Sequence, residues 1–252
     1  MDRKKFLATV TSAAVPLAAL SKTGKVVEKI NKTTFEDEKT VTIPPYLKAG
    51  NTIGITCPAG FITQQDIQSA VNKLKEWGFQ VKVGDTVGKK DFTFGGTDEE
   101  RRKDFQQMID DNTISAILCA RGGYGAIRII DDLDFKKMKK LKWIIGFSDI
   151  TVIHAELNRN HRIASIHSKM CNSFPDDWTK AEQVQIDSIE SIKKCLTGEK
   201  MNYLFAVNPN NRIGMVDGEL IGGNLKTLES MAGTKTDIST KNKILFVEDT
   251  EE

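Results

Sequence analysis

An α/β fold, with a parallel sheet covered by helices on both faces, is predicted by three observations. Short apolar, β-rich runs alternate with segments of helical apolar spacing from Asn51 to His167. The runs Ser115–Ala120 and Leu141–Phe147 are apolar enough to be central strands buried on both faces. Glycines gather where the runs end, at Pro58-Ala59-Gly60, at Gly122-Gly123-Tyr124-Gly125 and at Gly146. In an open parallel sheet, those ends are where ligands collect. The expected sheet is Rossmann- or flavodoxin-like, followed by part of a smaller β-rich C-terminal domain.

The elements follow in order. Thr52–Cys57 is a strand. Gln65–Trp77 carries apolar residues at Ile67, Val71, Leu74 and Trp77, which is helical spacing, and Gly78 can terminate it. Phe79–Val83 alternates as a strand. Thr97, with Glu100 three residues on, forms a capping box for a helix running to about Asp110. Ser115–Ala120 is the next strand, and Ala126–Leu133 reads as helical. Leu141–Phe147 is a strand, Asp149–Leu157 a helix, and Arg162–His167 a fifth strand. Trp178–Leu196 is a polar helix stopped by Gly198. Arg212–Leu220 and Lys243–Val247 read as short strands, with Gly222-Gly223-Asn224 and a helix between them.

The 252 residues hold 39% hydrophobic and 28% charged residues, which excludes a disordered, collagen-like or multi-span membrane chain. Thirty-six Lys+Arg against thirty-four Asp+Glu leave +2, so no nucleic-acid partner is expected. Cys57, Cys119, Cys171 and Cys195 contain no C-x-x-C pair, so neither a disulfide scaffold nor a zinc site is expected.

Residues 1–20 read as an export signal. Arg3, Lys4 and Lys5 precede the uncharged stretch Phe6–Leu20, which Pro16 interrupts and which is shorter than the about 20 residues of a membrane span. Export to the periplasm or cell envelope is the expectation, a cytoplasmic location the alternative, and no stable membrane span is expected. Residues 21–43 read as a linker, 44–176 as the α/β domain, 177–211 as a connecting helix and linker, and 212–252 as an incomplete β-rich domain.

Ser148 directly follows a buried strand and directly precedes a helix. Such a turn holds a hydroxyl clear of the sheet and aims backbone N–H groups at a developing oxyanion. The motif is half of G-x-S-x-G, because Ile150 takes the place of the second glycine. The plainer reading is that Ser148 caps the helix. The Arg121–Gly125 loop could supply an oxyanion N–H or hold a phosphate, or it could simply be a tight turn; Arg128 denies it the last glycine of a dinucleotide fingerprint. A serine nucleophile needs a base. His154 lies six residues into the helix and points away from its start, and His161 sits in a charged, solvent-facing turn. His167, at a strand end, is the histidine that placement alone would nominate. Glu248 and Asp249 follow an apolar strand and are either a carboxylate that orients a base or a surface turn.

Six segments, taken together and in order, resemble the LD-carboxypeptidases and the related microcin-C immunity peptidases. They are Gly50–Ile55, Gly95–Arg101, Arg121–Gly125, Gly146–Thr151, Gly222–Leu225 and Ile244–Asp249. The resemblance runs from about Pro44 to Glu252. It implies a serine peptidase with a Ser-Glu-His triad, in which Ser148 looks like the nucleophile and Glu248 like the triad carboxylate. The amides of Asp149, Gly122 and Gly123 would form the oxyanion hole, and Tyr124 and His167 would contact substrate. The implied reaction removes the terminal D-alanine of peptidoglycan tetrapeptides, a step of murein turnover and recycling. The implied substrate is a small muropeptide; no metal or organic cofactor is implied, and a homodimer is left open. In this family the triad histidine lies downstream of the Glu-Asp segment, so the expectation is a truncated chain of little or no activity. A non-catalytic α/β binder of peptides or nucleotides is the alternative.

Overall fold

A computed structural model gives the fold, and it describes residues 40–249. The expected signal, and the linker up to residue 39, lie outside the described residues.

Five parallel strands form the main sheet: β1 (Thr52–Thr56), β2 (Gln80–Val83), β3 (Ile114–Cys119), β4 (Trp143–Gly146) and β5 (Ile166–His167), in the order β2-β1-β3-β4-β5. All six residues of β3 are buried, as expected of a central strand. β2 leaves three of its four residues exposed, as an edge strand does. The fifth strand is shorter than the sequence predicts, because only Ile166 and His167 reach register with Ile145 and Gly146.

Side chains alternate across the sheet, so each face builds its own core. Ile53, Ile55, Ala116, Leu118 and Ile145 face α1 (Gln68–Glu76), which contributes Val71 and Leu74. Ile117, Cys119 and Ile144 face the other way, onto Phe105, Met108 and Ile109 of α2 (Asp98–Asp110). The capping box at the start of α2 forms as predicted, with Thr97 and Glu100 each satisfying the other's backbone N–H. Ala126–Leu133 resolves into the single turn α3 (Ala126–Ile129) and a 3-10 turn Ile130–Asp132. The helix after Ser148 begins as a 3-10 turn, Ser148–Ile150, continues as α4 (Thr151–Glu156) and widens to a π-turn at Leu157–His161. α5 (Gln183–Thr197) starts later than predicted. It packs Ile189, Ile192 and Leu196 on the α1 side, and Gly198 closes it in the left-handed conformation.

The C-terminal region differs most from expectation. Arg212–Leu220 is not a strand: residues 212–218 run exposed, Glu219 is part-buried against Arg162, and β6 is Leu220–Asn224. Gly222-Gly223-Asn224 is therefore strand, not connection. β6 pairs in parallel with β7 (Ile244–Glu248), and α6 (Leu225–Met231) crosses between them. Both glycines are required. A side chain on Gly222 would collide with the Phe246 carbonyl, and one on Gly223 would meet Thr151 Oγ1 at 2.5 Å. The glycine pair lets β6 lie against β7 on one side and the start of α4 on the other.

Arg101 of α2 is fully buried. Its guanidinium donates from Nη1 to Pro58 O at 2.5 Å and Gly125 O at 2.9 Å, from Nε to Gly96 O at 3.3 Å, and from Nη2 to Asp98. Three loops at one end of the sheet are tied at a single side chain. Arg101→Met should lower unfolding free energy by about 3 kcal/mol or more, because it strands buried acceptors. Urea denaturation checks this, and a loss below about 1 kcal/mol would mean the loops hold themselves.

Candidate active site

Strand order reverses between β1 and β3: the chain steps outward from β1 to β2, then returns to β3. In an open parallel sheet, the loops leaving two such strands flank the place where ligands bind. Here they are bonded at two points, one of them from Arg121 Nη1 to Phe61 O at 3.1 Å. Gly60 N–H donates to Gly122 O at 2.9 Å, and a side chain on Gly60 would sit 2.5 Å from that oxygen. Among the described residues, the N–H groups of Gly122 and Gly123 make no backbone hydrogen bond. They remain free to meet an anion.

Ser148 stands at the end of the adjacent strand. Phe147 is extended (φ −148°), Ser148 turns into the left-handed region (φ 59°), and the 3-10 turn starts at once. A non-glycine residue there costs about 1–2 kcal/mol. Such strain marks the serine turns that hold a nucleophile. The N-cap positions of the 3-10 turn and of α4 are Phe147 and Ile150, so capping is not the role of Ser148. Its hydroxyl faces Gly122: a methyl built on Gly122 would lie 3.2 Å from Ser148 Cβ and 3.4 Å from Oγ. Gly146, where the strand ends, admits the turn, since a methyl there would lie 2.9 Å from Ile150.

Asp149 follows Ser148 and is buried. Its carboxylate accepts the Ala126 N–H at 2.7 Å. Burial pushes its carboxyl up to about 6, against the lowering pull of the Ala126 hydrogen bond and of Arg101. Its own N–H lies in the first turn of a helix, where donors have no intrahelical partner.

His154 is buried, and its ring nitrogen Nε2 lies 2.9 Å from Gly146 O. A carbonyl only accepts, so Nε2 carries the proton and Nδ1 the lone pair. Burial drives its pKa down to about 4, so the ring is neutral at pH 7. His154 thus braces the strand end below Ser148 and, as its spacing implied, is not the base. His161 is not solvent-facing: it is mostly buried, 3.2 Å from Glu156 and packed on Phe135, because the π-turn folds it back.

His167 pairs with Gly146 across the sheet, and Ser168 N–H also donates to Gly146 O at 3.0 Å. The His167 ring contacts Phe147, His154 and Phe246. Its Nε2 lies 3.9 Å from Glu248 Oε1, an ion-pair distance too long for a hydrogen bond. Burial lowers its pKa. Glu248 ends β7 in register with Asn224, whose side-chain oxygen caps α6 and whose amide reaches Asp249.

Among the described residues, three buried side-chain atoms lack a hydrogen-bond partner: Nδ1 of His154, Nδ1 of His167 and Oε1 of Glu248. Folded proteins leave few such atoms unpaired, and when they cluster beside a crevice they mark a site. A cavity of about 540 Å³ opens beyond β5, lined by His167, Ile166, Ile192, Tyr203, Ile221 and Phe246 among others. Ser148 does not line it.

The structure therefore brings Ser148, Gly122 and Asp149 together, and separately His167 and Glu248. No hydrogen bond joins Ser148 to His167 or Glu248 among the described residues. Tyr124 lies exposed at the rim of the glycine loop, its ring 6.1 Å from Phe94. Arg101, Thr151 and the Asp149 side chain were not singled out by sequence. Arg101 sits among polar neighbours that carry no sign of burial, and Thr151 looks like an ordinary helix residue. No group of three His, Cys, Asp or Glu among the described residues is arranged to hold a metal. No helix among them is long and apolar enough to cross a membrane.

A sequence profile described as the LD-carboxypeptidase N-terminal domain matches residues 53–168, and one described as its C-terminal domain matches residues 217–252. The chain is 32% identical over 219 residues to a probable murein peptide carboxypeptidase of Bacillus subtilis, covering 83% of this chain and 65% of that protein. It is 29% identical over 207 residues to a murein tetrapeptide carboxypeptidase of Pseudomonas aeruginosa, covering 78% and 66%. The chain thus spans just under two thirds of the length of these relatives. The fold matches the crystal structure of an MccF-like protein from Bacillus anthracis, with a TM-score of 0.70 at 24% identity, covering 82% of this chain and 69% of that one.

The neutral, buried His154 predicts a pH dependence. Its folded pKa of about 4 lies below the unfolded value, so between pH 4 and 6.5 the unfolded chain binds the extra proton. Stability from this group is complete above the unfolded pKa and is lost as pH falls through that window, by about 3 kcal/mol at most. Asp149, raised to about 6, acts in the opposite sense below pH 6. The wild-type advantage over His154→Gln in urea midpoint should therefore shrink as pH falls from 7 to 4. An advantage that stays constant across this range would show that His154 is not held neutral.

Proposed function

We propose that this chain, which belongs to the LD-carboxypeptidase family, carries the nucleophile half of a serine peptidase site for muropeptide tetrapeptides. The observation that carries this reading is Ser148 at φ 59° on a strand-to-helix turn, its hydroxyl facing Gly122. Attack by Ser148 Oγ on the carbonyl before a terminal D-alanine would place negative charge on the carbonyl oxygen. The N–H groups of Gly122, Gly123 and Asp149 are the donors available to meet it. Donors fixed in advance stabilise the transition state more than the ground state, which is what raises rate. The names of the relatives support the choice of substrate, since they act on murein peptides.

Serine hydroxyl is a weak nucleophile without a base. Glu248 has the character of a triad carboxylate: one buried oxygen is left without a hydrogen-bond partner, as it would be when waiting for an imidazole. His167 is beside it, yet bonds neither Glu248 nor Ser148. We therefore read His167 as a wall of the substrate site and expect these 252 residues to turn over slowly on their own.

A fluorophosphonate probe should label Ser148 slowly, with added imidazole raising the labelling rate as a diffusible base. Ser148→Ala should abolish labelling, and Gly122→Ala should reduce it at least about 10-fold by filling the space above the hydroxyl. Labelling at another residue, or none with imidazole present, would overturn the reading. The open glycine loop also suits a second reading, a non-catalytic binder of peptides or nucleotides. Thermal stabilisation by nucleotides and not by muropeptides would favour it.

A further inference from the structure

Resting on the peptidase reading of Ser148, we propose that the Asp149 carboxylate and the Arg101 guanidinium are positioning residues that grip the Gly125–Ala126 peptide from its two sides and hold the Gly122–Gly125 loop against the nucleophile. The peptide's carbonyl, on Gly125, accepts from Arg101 Nη1 at 2.9 Å. Its N–H, on Ala126, donates to Asp149 Oδ2 at 2.7 Å. One peptide plane is thus fixed at both ends by buried groups of opposite charge.

The grip has no slack on the Arg101 side. Gly125 has φ 137°, and a methyl there would lie 2.8 Å from Arg101 Nη1 and 3.0 Å from the Phe94 ring. The other end of the loop is pinned where Gly122 O accepts from Gly60 N–H at 2.9 Å. The Gly123 N–H lies between these two anchors and the Gly122 N–H directly before the first, and these are the donors the reaction needs. Asp149 is also the residue directly after Ser148, so a shift of the nucleophile turn carries its carboxylate, and with it the loop. The Asp149 side chain thus links the turn that carries the hydroxyl to the loop that carries the oxyanion donors.

Capping α3 would be the plainer role for Asp149, but α3 is a single turn of four residues. A buried carboxylate and a buried guanidinium are costly groups to place around so short a helix. Arg101 of α2 lowers the pKa of Asp149, and Cys119 at the end of β3 is held as the neutral thiol by burial. Arg101 itself is paired with Asp98, which also binds Arg128. With the carboxyl near 6, the grip is charge-assisted at neutral pH and weakens as pH falls below that value.

The test compares wild type, Asp149→Asn and Asp149→Ala in the full chain by two readouts. In the first, backbone amide resonances are followed from pH 4.5 to 8. The Ala126, Gly122 and Gly123 amides of the wild type should shift together with one midpoint near 6, and this titration should vanish in Asp149→Asn. In the second, fluorophosphonate labelling of Ser148 is timed. Asp149→Ala should slow labelling about 10- to 100-fold with little change in probe affinity. Asp149→Asn keeps an acceptor for Ala126 N–H and should recover most of the rate at pH 7 while flattening its pH profile. The proposal is overturned if the Gly122 and Gly123 amides do not follow Asp149, or if Asn is as damaging as Ala at equal stability. Failure of the wild type to label at all would sink the peptidase reading, while the amide titration still decides the grip.

Discussion

A guanidinium taken out of water has to be surrounded by acceptors, and Arg101 finds them on three different loops. Its charge cannot be relieved by losing a proton, since arginine stays cationic at any ordinary pH. Asp98 pairs the charge, and the loops after β1, before α2 and after β3 must converge on it, or the fold leaves buried guanidinium N–H groups without acceptors. This single requirement fixes the geometry around the site. Pro58 leads to Gly60, which bonds Gly122; Gly96 leads into the capping box of α2; Gly125 ends the loop that faces Ser148. α2 is held in turn by Phe105, Met108 and Ile109 in the core, so the site is anchored to close-packed side chains.

The segment Ser148-Asp149-Ile150-Thr151 acts as the second reference. Each side chain looks at a different neighbour. Ser148 faces Gly122, Asp149 holds the loop end at Ala126, and Ile150 packs beneath Gly146. Thr151 Oγ1 accepts the Asn224 N–H at 3.0 Å from the C-terminal unit. The left-handed backbone at Ser148 is kept because these contacts over-determine it, as strained positions at functional sites generally are. His154, one turn further on, returns to bond Gly146 O and closes the segment on itself.

The sheet was legible because β3 and β4 are apolar at nearly every position and the helices between strands keep their 3.6-residue spacing. The Thr97–Glu100 box was legible because it is a local contact between residues three apart. Ser148 was legible as a turn, though not its positive φ, which depends on what presses on it from elsewhere. Arg101 was invisible for the opposite reason: three of its four acceptors are backbone carbonyls, up to 43 residues away in sequence, and a carbonyl has no side-chain signature. The misplaced strand has a comparable cause. Residues 212–219 have strand-like composition, but a strand needs a partner, and β7 reaches only Leu220–Asn224. The glycines that looked like a connection are what allow that pairing at all.

The placement of Glu248 follows from those contacts rather than from its own. β7 touches the main domain chiefly through β6, which is docked by Thr151 and by Glu219, whose carboxylate meets Arg162 at 2.7 Å. Parallel register then carries the position set by Asn224 across to Glu248. A change at Thr151 or Gly223 would therefore move a carboxylate it never contacts. The nucleophile turn thus has two outputs from one short sequence: Asp149 sets the donors on one side of Ser148, and Thr151 sets the acid on the other. Leu245, Phe246 and Val247, which precede Glu248, remain partly exposed on β7, with Phe246 against the His167 ring. The carboxylate and the imidazole accordingly stand at the edge of a wall that is apolar on one face. There a buried oxygen without a partner keeps its full demand for a donor.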